Sequence, residues 1–208
     1  MTVEASHQKI LILFAHPAIH KSRVNRELIK PLQNIEGITF HDLYETYPNF
    51  YIDIKKEQKL LMQHDVIVMM HPFYWYSLPS ILKEWLDLVL EHGFAYGNDG
   101  SVLNTKKLIS VITTAGSHHS YQSTGSNRYT ILQLLAPLMQ TAFLCQLEYL
   151  PPFVIHDTLH LTSEDIAKHT QDLEKILLAL RDDNIDFAKV KSSSYLNTDL
   201  SAILKLSS

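Results

Sequence analysis

Cysteine is almost absent from this sequence, since Cys145 is the single thiol in 208 residues. One cysteine excludes a disulfide within the chain, which fits a reducing compartment. No apolar run approaches the roughly 18 residues that a membrane-spanning helix needs, and the first residues lack the charged and then apolar pattern of a signal peptide. We therefore expect a cytoplasmic protein.

Glycine is also scarce, and neither of the two glycine motifs that bind nucleotides is present. The sequence contains no G-x-G-x-x-G, the fingerprint of dinucleotide-binding folds, and no G-x-x-x-x-G-K-[ST], the loop that holds nucleotide triphosphates. The formal net charge is −4, so no basic excess is available to neutralise nucleic-acid phosphates. These absences argue against a general nucleic-acid binder.

Twelve histidines are present, but no H-E-x-x-H motif or Cys/His cluster accompanies them. The obvious pairs are His118 with His119 and His156 with His160. Histidines are also common as capping and loop residues. We therefore expect no metal site.

Apolar runs of strand length alternate along the chain with segments of helical periodicity. The predicted strands are residues 9–15, 38–44, 65–70, 108–113 and 143–150. The predicted helices are residues 22–32, 54–64, 80–91, 130–140 and 162–181, with Ser163 as the cap of the last one and Pro137 disturbing the last turn of the fourth. With 46% apolar and 19% charged residues, the composition is that of a soluble globular protein.

This alternation predicts an α/β fold in which helices cover both faces of a five-stranded, mostly parallel sheet. We place the domain at residues 1–181, and we interpret residues 182–208 as a tail that is mobile or packs on a neighbouring subunit. Ligands of such sheets bind beyond the carboxyl ends of the strands, where the strand order reverses. Three loops should converge there, at residues 16–25, 71–77 and 113–121.

The loop after the third predicted strand is aromatic. It contains Phe73, Tyr74, Trp75 and Tyr76, and Pro79 closes it. Loops are usually polar, so aromatic side chains at this edge indicate the wall of a flat, conjugated ligand on which their faces can stack. The alternative is that these side chains cap the hydrophobic core.

The loop after the first strand has the ingredients of an anion site. Ser22 opens a helix, and the backbone amides that follow belong to Arg23, Val24 and Asn25. These N–H groups and the positive end of the helix dipole could face a phosphate, with His16 as a further donor. The alternative is an ordinary helix start that Ser22 caps.

The loop after the fourth strand begins with small residues, namely Thr113, Thr114, Ala115 and Gly116. Their backbone N–H groups would let a flat ring approach closely and would stabilise negative charge that develops on it. Tyr121 follows as a phenol that can donate a proton or a hydrogen bond. The alternative for Tyr121 is a surface tyrosine on a flexible loop.

Seven motifs in this order resemble the flavodoxin-like NAD(P)H:quinone oxidoreductases. Within that family the chain most resembles the cytoplasmic ancillary proteins of bacterial glutathione-gated potassium-efflux systems. The resemblance covers residues 9–157. The motifs are AHP at 15–17, SRVN at 22–25, LYETYPNFYIDI at 43–54, HPFYWYSLPSILKEWLD at 71–87, HGFAYG at 92–97, TTAG at 113–116 and LPPF at 150–153.

The resemblance implies a non-covalent flavin, FMN with FAD as the alternative. Its phosphate would lie against His16 and residues 22–25, and its ring would rest on residues 73–76 and 113–116. NAD(P)H would deliver hydride to the flavin and leave before a quinone occupies the same face, so the reaction is ping-pong. The resemblance does not distinguish NADH from NADPH.

Two positions depart from the family pattern. Tyr121 matches a tyrosine that helps to manage charge on the reduced ring in the wider family, but the histidine that partners it there is replaced by Asn127. An amide can form hydrogen bonds but cannot exchange a proton near neutral pH. Ala115 stands where many relatives have a second glycine, and its methyl group would narrow the approach to the ring.

Partners also follow from the resemblance. We expect a homodimer in contact through residues 80–91 and the HGFAYG loop. A second hypothesis is a regulatory subunit that docks on a potassium-efflux antiporter, which would bring the chain to the inner membrane. A third is a flavodoxin-like one-electron carrier.

Overall fold

Six parallel strands form one sheet in the computed structural model, which describes residues 7–205 of the chain. In chain order they are β1 (Ile10–Phe14), β2 (Ile38–Asp42), β3 (Val66–Pro72), β4 (Lys107–Thr113), β5 (Glu148–Tyr149) and β6 (Phe153–Ile155). Their spatial order is β2-β1-β3-β4-β5, and β6 pairs with β4. Because β5 and β6 both pair with β4, the sheet has five parallel positions, and the predicted α/β fold is confirmed.

The helices cover the sheet on both faces. They are α1 (Arg23–Ile29), α2 (Leu43–Thr46), α3 (Ile54–Gln63), α4 (Ser80–Val89), α5 (Ile131–Leu134), α6 (Ala136–Leu144), α7 (Ser163–Arg181), α8 (Phe187–Ser192) and α9 (Leu200–Ile203). Among residues 7–205, no helix combines the length and the apolar character that crossing a bilayer requires.

Side chains alternate between two cores along each central strand. Leu11 of β1 shares one core with Trp85 of α4, and the next residue, Ile12, shares the other with Leu177 of α7. Helices α3, α4 and α6 therefore pack on one face, and α1 and α7 pack on the other. Both faces of β1 and β3 are buried, which explains their continuous apolar sequence.

Prolines set the observed ends of two helices. Helix α1 ends at Ile29 rather than at residue 32, because Pro31 opens a short 3-10 turn. The predicted helix 130–140 is divided at Leu135 into α5 and α6. Pro137 lies in the first turn of α6, where its missing N–H costs no hydrogen bond. The expectation that it disturbs a last turn was wrong.

The cap of α7 also differs from the prediction. Thr162, and not Ser163, is the cap, because its hydroxyl accepts from the Asp165 amide while the Asp165 carboxylate accepts from the Thr162 amide. This reciprocal pair is a capping box.

The predicted fifth strand, residues 143–150, contains β5 but begins too early and misses β6. Phe143, the first residue of the predicted strand 143–150, belongs to α6, and the observed strand is split into β5 and β6. Pro151 and Pro152 separate the two pieces, because proline has no N–H for the ladder. The second strand ends at Asp42, whose carboxylate caps α2.

Residues 182–205 pack on the chain's own sheet. Their buried side chains, Ile185, Val190, Leu196 and Ile203, join the core that α1 and α7 cover. We expected a tail that is mobile or packs on a neighbouring subunit, whereas this part of it completes one face of the same fold. Residues 206–208 of that tail lie outside the described residues.

Candidate functional site

The three predicted loops surround one cleft of about 610 Å³ at the carboxyl edge of the sheet. All the residues named from the sequence line it, namely His16, Ser22, Arg23, Val24, Asn25, Phe73, Tyr74, Trp75, Tyr76, Thr113, Thr114, Ala115, Gly116 and Tyr121. Strands β1 and β3, whose ends supply two of the loops, are neighbours in the sheet although β2 lies between them in sequence. The strand order reverses at this point, which is where ligands of parallel sheets bind.

Ser22 caps α1. Its hydroxyl accepts hydrogen bonds from the backbone amide of Asn25 at 3.2 Å and from the Asn25 side-chain amide at 3.1 Å. The amides of Arg23 and Val24 belong to the first turn, where an α-helix supplies no acceptor. The Ser22 hydroxyl is therefore an ordinary helix cap, as the alternative interpretation holds. The N–H groups that are free to bind an anion are those of Arg23 and Val24.

Asn25 lines the cleft and joins two of its loops. Its side-chain amide donates to Thr113 Oγ1 at 2.9 Å, across 88 residues of sequence. Its Oδ1 is buried and has no hydrogen-bond partner among residues 7–205. A buried acceptor without a donor is costly, so this atom marks a place where a ligand or water donor would be stabilised.

His16 is buried at the wall of the cleft. Its Nδ1 accepts from the Ala18 amide at 3.1 Å, which leaves the proton of the neutral ring on Nε2. Burial lowers the pKa of His16, and the nearby His20 acts in the same direction, while a backbone hydrogen bond opposes them. His16 is therefore a neutral hydrogen-bond donor at physiological pH.

The aromatic loop divides between core and solvent. Phe73 is buried against Tyr121, with ring centroids 6.2 Å apart, so the core-capping interpretation holds for this residue. Trp75 is 92% exposed, and both Trp75 and Tyr76 have positive φ, at 50° and 61°. The turn is closed by a 3.0 Å bond from the Ser77 amide to the Tyr74 carbonyl.

Positive φ at two aromatic residues costs roughly 1–3 kcal/mol each. Such a turn normally has Asn-Gly at its centre. Here it displays Trp75 and Tyr76 at the mouth of the cleft instead of turning them into the core. Backbone strain of this kind clusters at active sites and ligand-binding sites.

Tyr121 is buried, so it is not a surface tyrosine. It is 4% exposed, and its hydroxyl lies 2.8 Å from Thr114 Oγ1, which also accepts from the Gly116 amide at 3.2 Å. Burial raises the pKa of Tyr121, and the Thr114 hydrogen bond only partly offsets this. The phenol therefore stays protonated through the neutral range.

Asn127 lies across the mouth of the cleft, at the position where the family resemblance places a histidine. Its Oδ1 accepts from the Tyr76 hydroxyl at 3.2 Å. A Cβ on Gly116 would lie 3.4 Å from its Nδ2. Asn127 thus links the aromatic loop to the loop that contains Gly116. Ala115 is exposed and also lines the cleft.

Several residues of the cleft were missed in the sequence, and the most informative are Lys21, Thr158 and Leu159. Lys21 adds a positive charge just before the α1 cap. Thr158 and Leu159 follow β6, and they were missed because the fifth strand was predicted to end at residue 150. The apolar run at residues 153–155, just after Pro151-Pro152, was the signal that the strand resumes after a break.

The sequence profile of the flavodoxin-like fold family matches residues 8–177. The chain belongs to this family. A curated member, the glutathione-regulated potassium-efflux system ancillary protein KefG of Yersinia pestis (strain Pestoides F), is 45% identical over 163 residues, which are 78% of this chain and 90% of that protein.

Solved structures of the flavodoxin-like fold agree with this assignment. General stress protein 14 of Treponema denticola, solved in complex with FMN, is 35% identical with a TM-score of 0.79, over 83% of this chain and 99% of that one. An NADPH-quinone reductase from P. pentosaceus is 28% identical with a TM-score of 0.74, over 81% and 96% of the two chains. The predicted resemblance is confirmed.

Proposed function

We propose that the chain is an FMN-dependent NAD(P)H:quinone oxidoreductase with a ping-pong reaction. The observation that carries the proposal is the convergence of loops from β1, β3 and β4 on one cleft that has cations and free amides at one end and aromatic faces at the other. The FMN in the 35% identical structure from Treponema denticola supports FMN over FAD. Bound FMN would supply two-electron transfer from NAD(P)H to the quinone.

The α1 end of the cleft suits a phosphate. We assign to this role the unpaired amides of Arg23 and Val24, the neutral donor His16, and the charge of Lys21. Helix amides and the helix dipole favour an anion at this point. Asn25 holds this end against Thr113 at 2.9 Å, so the anion subsite and the small-residue loop keep a fixed spacing.

The other end suits the ring. Tyr74, Trp75 and Tyr76 offer aromatic faces, and Gly116 and exposed Ala115 leave room for a flat group. The Thr114 and Tyr121 hydroxyls form a fixed pair below the loop. The Gly116 amide donates to Thr114 Oγ1 and the Thr114 amide donates to Ile155 O, so these two N–H groups fix the shape of the loop on which the ring would lie.

The experiment is steady-state oxidation of NADPH and of NADH by the purified chain with added FMN and a quinone. We expect turnover that needs both additions, with parallel double-reciprocal lines. Tyr121→Phe should lower kcat by at least roughly tenfold, because the hydroxyl pair is lost. Tyr129→Phe removes a hydroxyl from the same loop at an exposed site and should leave kcat unchanged. Absence of quinone-dependent turnover in the wild-type chain contradicts the proposal.

A second function is favoured by the 45% identity to a potassium-efflux ancillary protein. We infer that the chain associates with a glutathione-gated antiporter, as a regulatory subunit that holds the same site. Co-purification of a tagged chain with the antiporter from detergent-solubilised membranes tests this association. Recovery of the chain without the antiporter, under conditions that retain a known ancillary protein, would contradict it.

A further inference from the structure

The segment at residues 182–205 lies beyond the residues that the family profile matches, 8–177, and yet it packs against His156, whose ring lies beside that of Tyr121 in the cleft. It contacts the sheet at β6, the strand that the Pro151-Pro152 break leaves only three residues long. Three residues pair with β4 along one edge of β6. The opposite edge would otherwise present unpaired backbone groups.

Asn197 covers that open edge. Its Oδ1 accepts from the Val154 amide at 3.1 Å, and its Nδ2 donates to the Val154 carbonyl at 2.8 Å. One amide side chain thus takes the place of a neighbouring strand. The preceding residue, Leu196, is buried and donates its own amide to the Pro152 carbonyl at 3.0 Å.

Tyr195 contacts the residue that follows β6. Its ring centroid lies 6.2 Å from that of His156 and 6.2 Å from that of His118. Neither ring nitrogen of His156 has a hydrogen-bond partner among residues 7–205, and its ring packs against those of Tyr195, His118 and Tyr121. Burial, with help from His118, lowers the pKa of His156 to about 4, which keeps it neutral inside the cluster.

The same cluster touches the candidate site. The His156 ring lies 5.8 Å from that of Tyr121, the buried phenol of the cleft. Three backbone hydrogen bonds join this region to the small-residue loop: Thr114 N–H to Ile155 O at 2.9 Å, Asp157 N–H to Gly116 O at 3.1 Å, and Thr158 N–H to Thr114 O at 3.1 Å. A displacement of β6 would therefore move both Tyr121 and the loop that contains Gly116.

We propose that residues 182–205 are a brace for the cleft, in which Asn197 and Tyr195 are positioning residues that act through β6 and His156 on Tyr121 and Gly116. The brace supplies the edge contacts that the broken fifth strand lacks. The expected effect of the brace on the position of the Gly116 loop follows from the contacts described above. Its expected effect on flavin affinity rests on the proposed function.

The first test is hydrogen exchange on the full chain without added flavin. Asn197→Ala removes both bonds to Val154, and we expect the Asp157 and Thr158 amides to exchange roughly tenfold faster. The matched control is Asp199→Ala, which removes the cap of α9 in the same segment without touching β6. It should lower the melting temperature while leaving these two amides unchanged.

The second test is the dissociation constant of FMN. Asn197→Ala should raise it about three- to tenfold, and Asp199→Ala should not. Tyr195→Phe keeps the ring and should behave as wild type, whereas Tyr195→Leu should raise the constant; this pair also serves if Asn197→Ala does not fold. Equal exchange rates in Asn197→Ala and Asp199→Ala would overturn the brace. A wild-type chain that binds no FMN would overturn the proposed function and leave the exchange result valid.

Discussion

At the scale of single residues, Asn127 is an amide at the position where the family resemblance places a histidine, which would titrate near neutral pH. It accepts a hydrogen bond from Tyr76 at 3.2 Å, and its charge does not change with pH. Asn127→His introduces a group with a pKa of about 6.5, so we predict a new step in the pH profile of kcat/KM for quinone reduction between about pH 5.5 and 7.5. Ser126→His puts the same group on an exposed neighbour. Identical profiles for both variants would contradict a role for Asn127 at the cleft.

Alanine substitutions at two glycines of the HGFAYG loop distinguish the cost of backbone strain from the cost of a steric clash. Gly93 and Gly97 have positive φ, at 82° and 90°. An alanine Cβ at position 93 meets nothing within 4 Å, whereas at position 97 it would lie 2.5 Å from His92 Nε2. Gly93→Ala should therefore cost about 1–2 kcal/mol of unfolding free energy, and Gly97→Ala should cost measurably more.

Urea unfolding of both variants measures these costs. Adding His92→Ala to Gly97→Ala should relieve the clash and restore the part of the unfolding free energy that the clash costs. The cost of positive φ should remain. A double variant as unstable as Gly97→Ala alone would show that the His92 ring is not the obstacle.

At the scale of elements, the buried Glu57 of α3 ties four of them together. Its carboxylate accepts from His41 of β2 at 2.9 Å, from the Tyr47 hydroxyl beside α2 at 2.6 Å, and from Trp85 of α4 at 2.8 Å. Burial by itself would raise the pKa of Glu57, but these three hydrogen bonds outweigh it and hold the pKa below its ordinary value. The charged form is thus the one that stabilises the fold.

Glu57→Gln should lower the unfolding free energy at pH 7 by about 2–3 kcal/mol, because charged hydrogen bonds become weaker neutral ones. A depressed pKa stabilises the folded state fully above the unfolded pKa of about 4.3, and this contribution is lost as the pH falls through the folded value. The difference between variant and wild type should therefore shrink below about pH 4. Glu84→Gln on the exposed face of α4 is the control, and an equal loss in both variants would contradict the assignment.

The elements that the sequence predicted well are those with a continuous local pattern. Strands β1, β3 and β4 are buried on both faces, so their apolar runs identified them. The predicted fifth strand began too early because the apolar stretch that includes Phe143 resembles a strand, whereas Phe143 is exposed and belongs to the end of α6. Tertiary pairing with β4, and not local pattern, decides where that strand runs.

At the scale of the whole molecule, the cleft was predictable because parallel strands end at one edge whatever their separation in sequence. The contacts between side chains inside the cleft could not be predicted from the sequence. The hydrogen bond between Tyr76 and Asn127 spans 51 residues, and no periodicity indicates it. The turn at Trp75 has positive φ but contains no glycine that would have predicted this backbone conformation. The brace at residues 182–205 was missed because its apolar residues are spaced too widely to show a period.

The predicted homodimer stays a prediction. The apolar residues of α4 expected at that contact, Ile81, Leu82, Trp85 and Val89, are buried in the chain's own core. The exposed side of α4 carries a Lys83 and Asp87 ion pair. A dimer contact through α4 would therefore involve these charged side chains, because the apolar ones face the chain's own core.

The measurement that tests the central claim most directly compares the dissociation constants of FMN and riboflavin, followed by flavin fluorescence. If the phosphate lies at α1, the wild-type chain should bind FMN at least roughly tenfold more tightly than riboflavin. Lys21→Glu, which reverses a charge at the cleft, should remove most of that preference, whereas the same reversal in Lys59→Glu on α3 should keep it. Equal affinity of the wild-type chain for the two flavins, or binding of neither, would contradict the account.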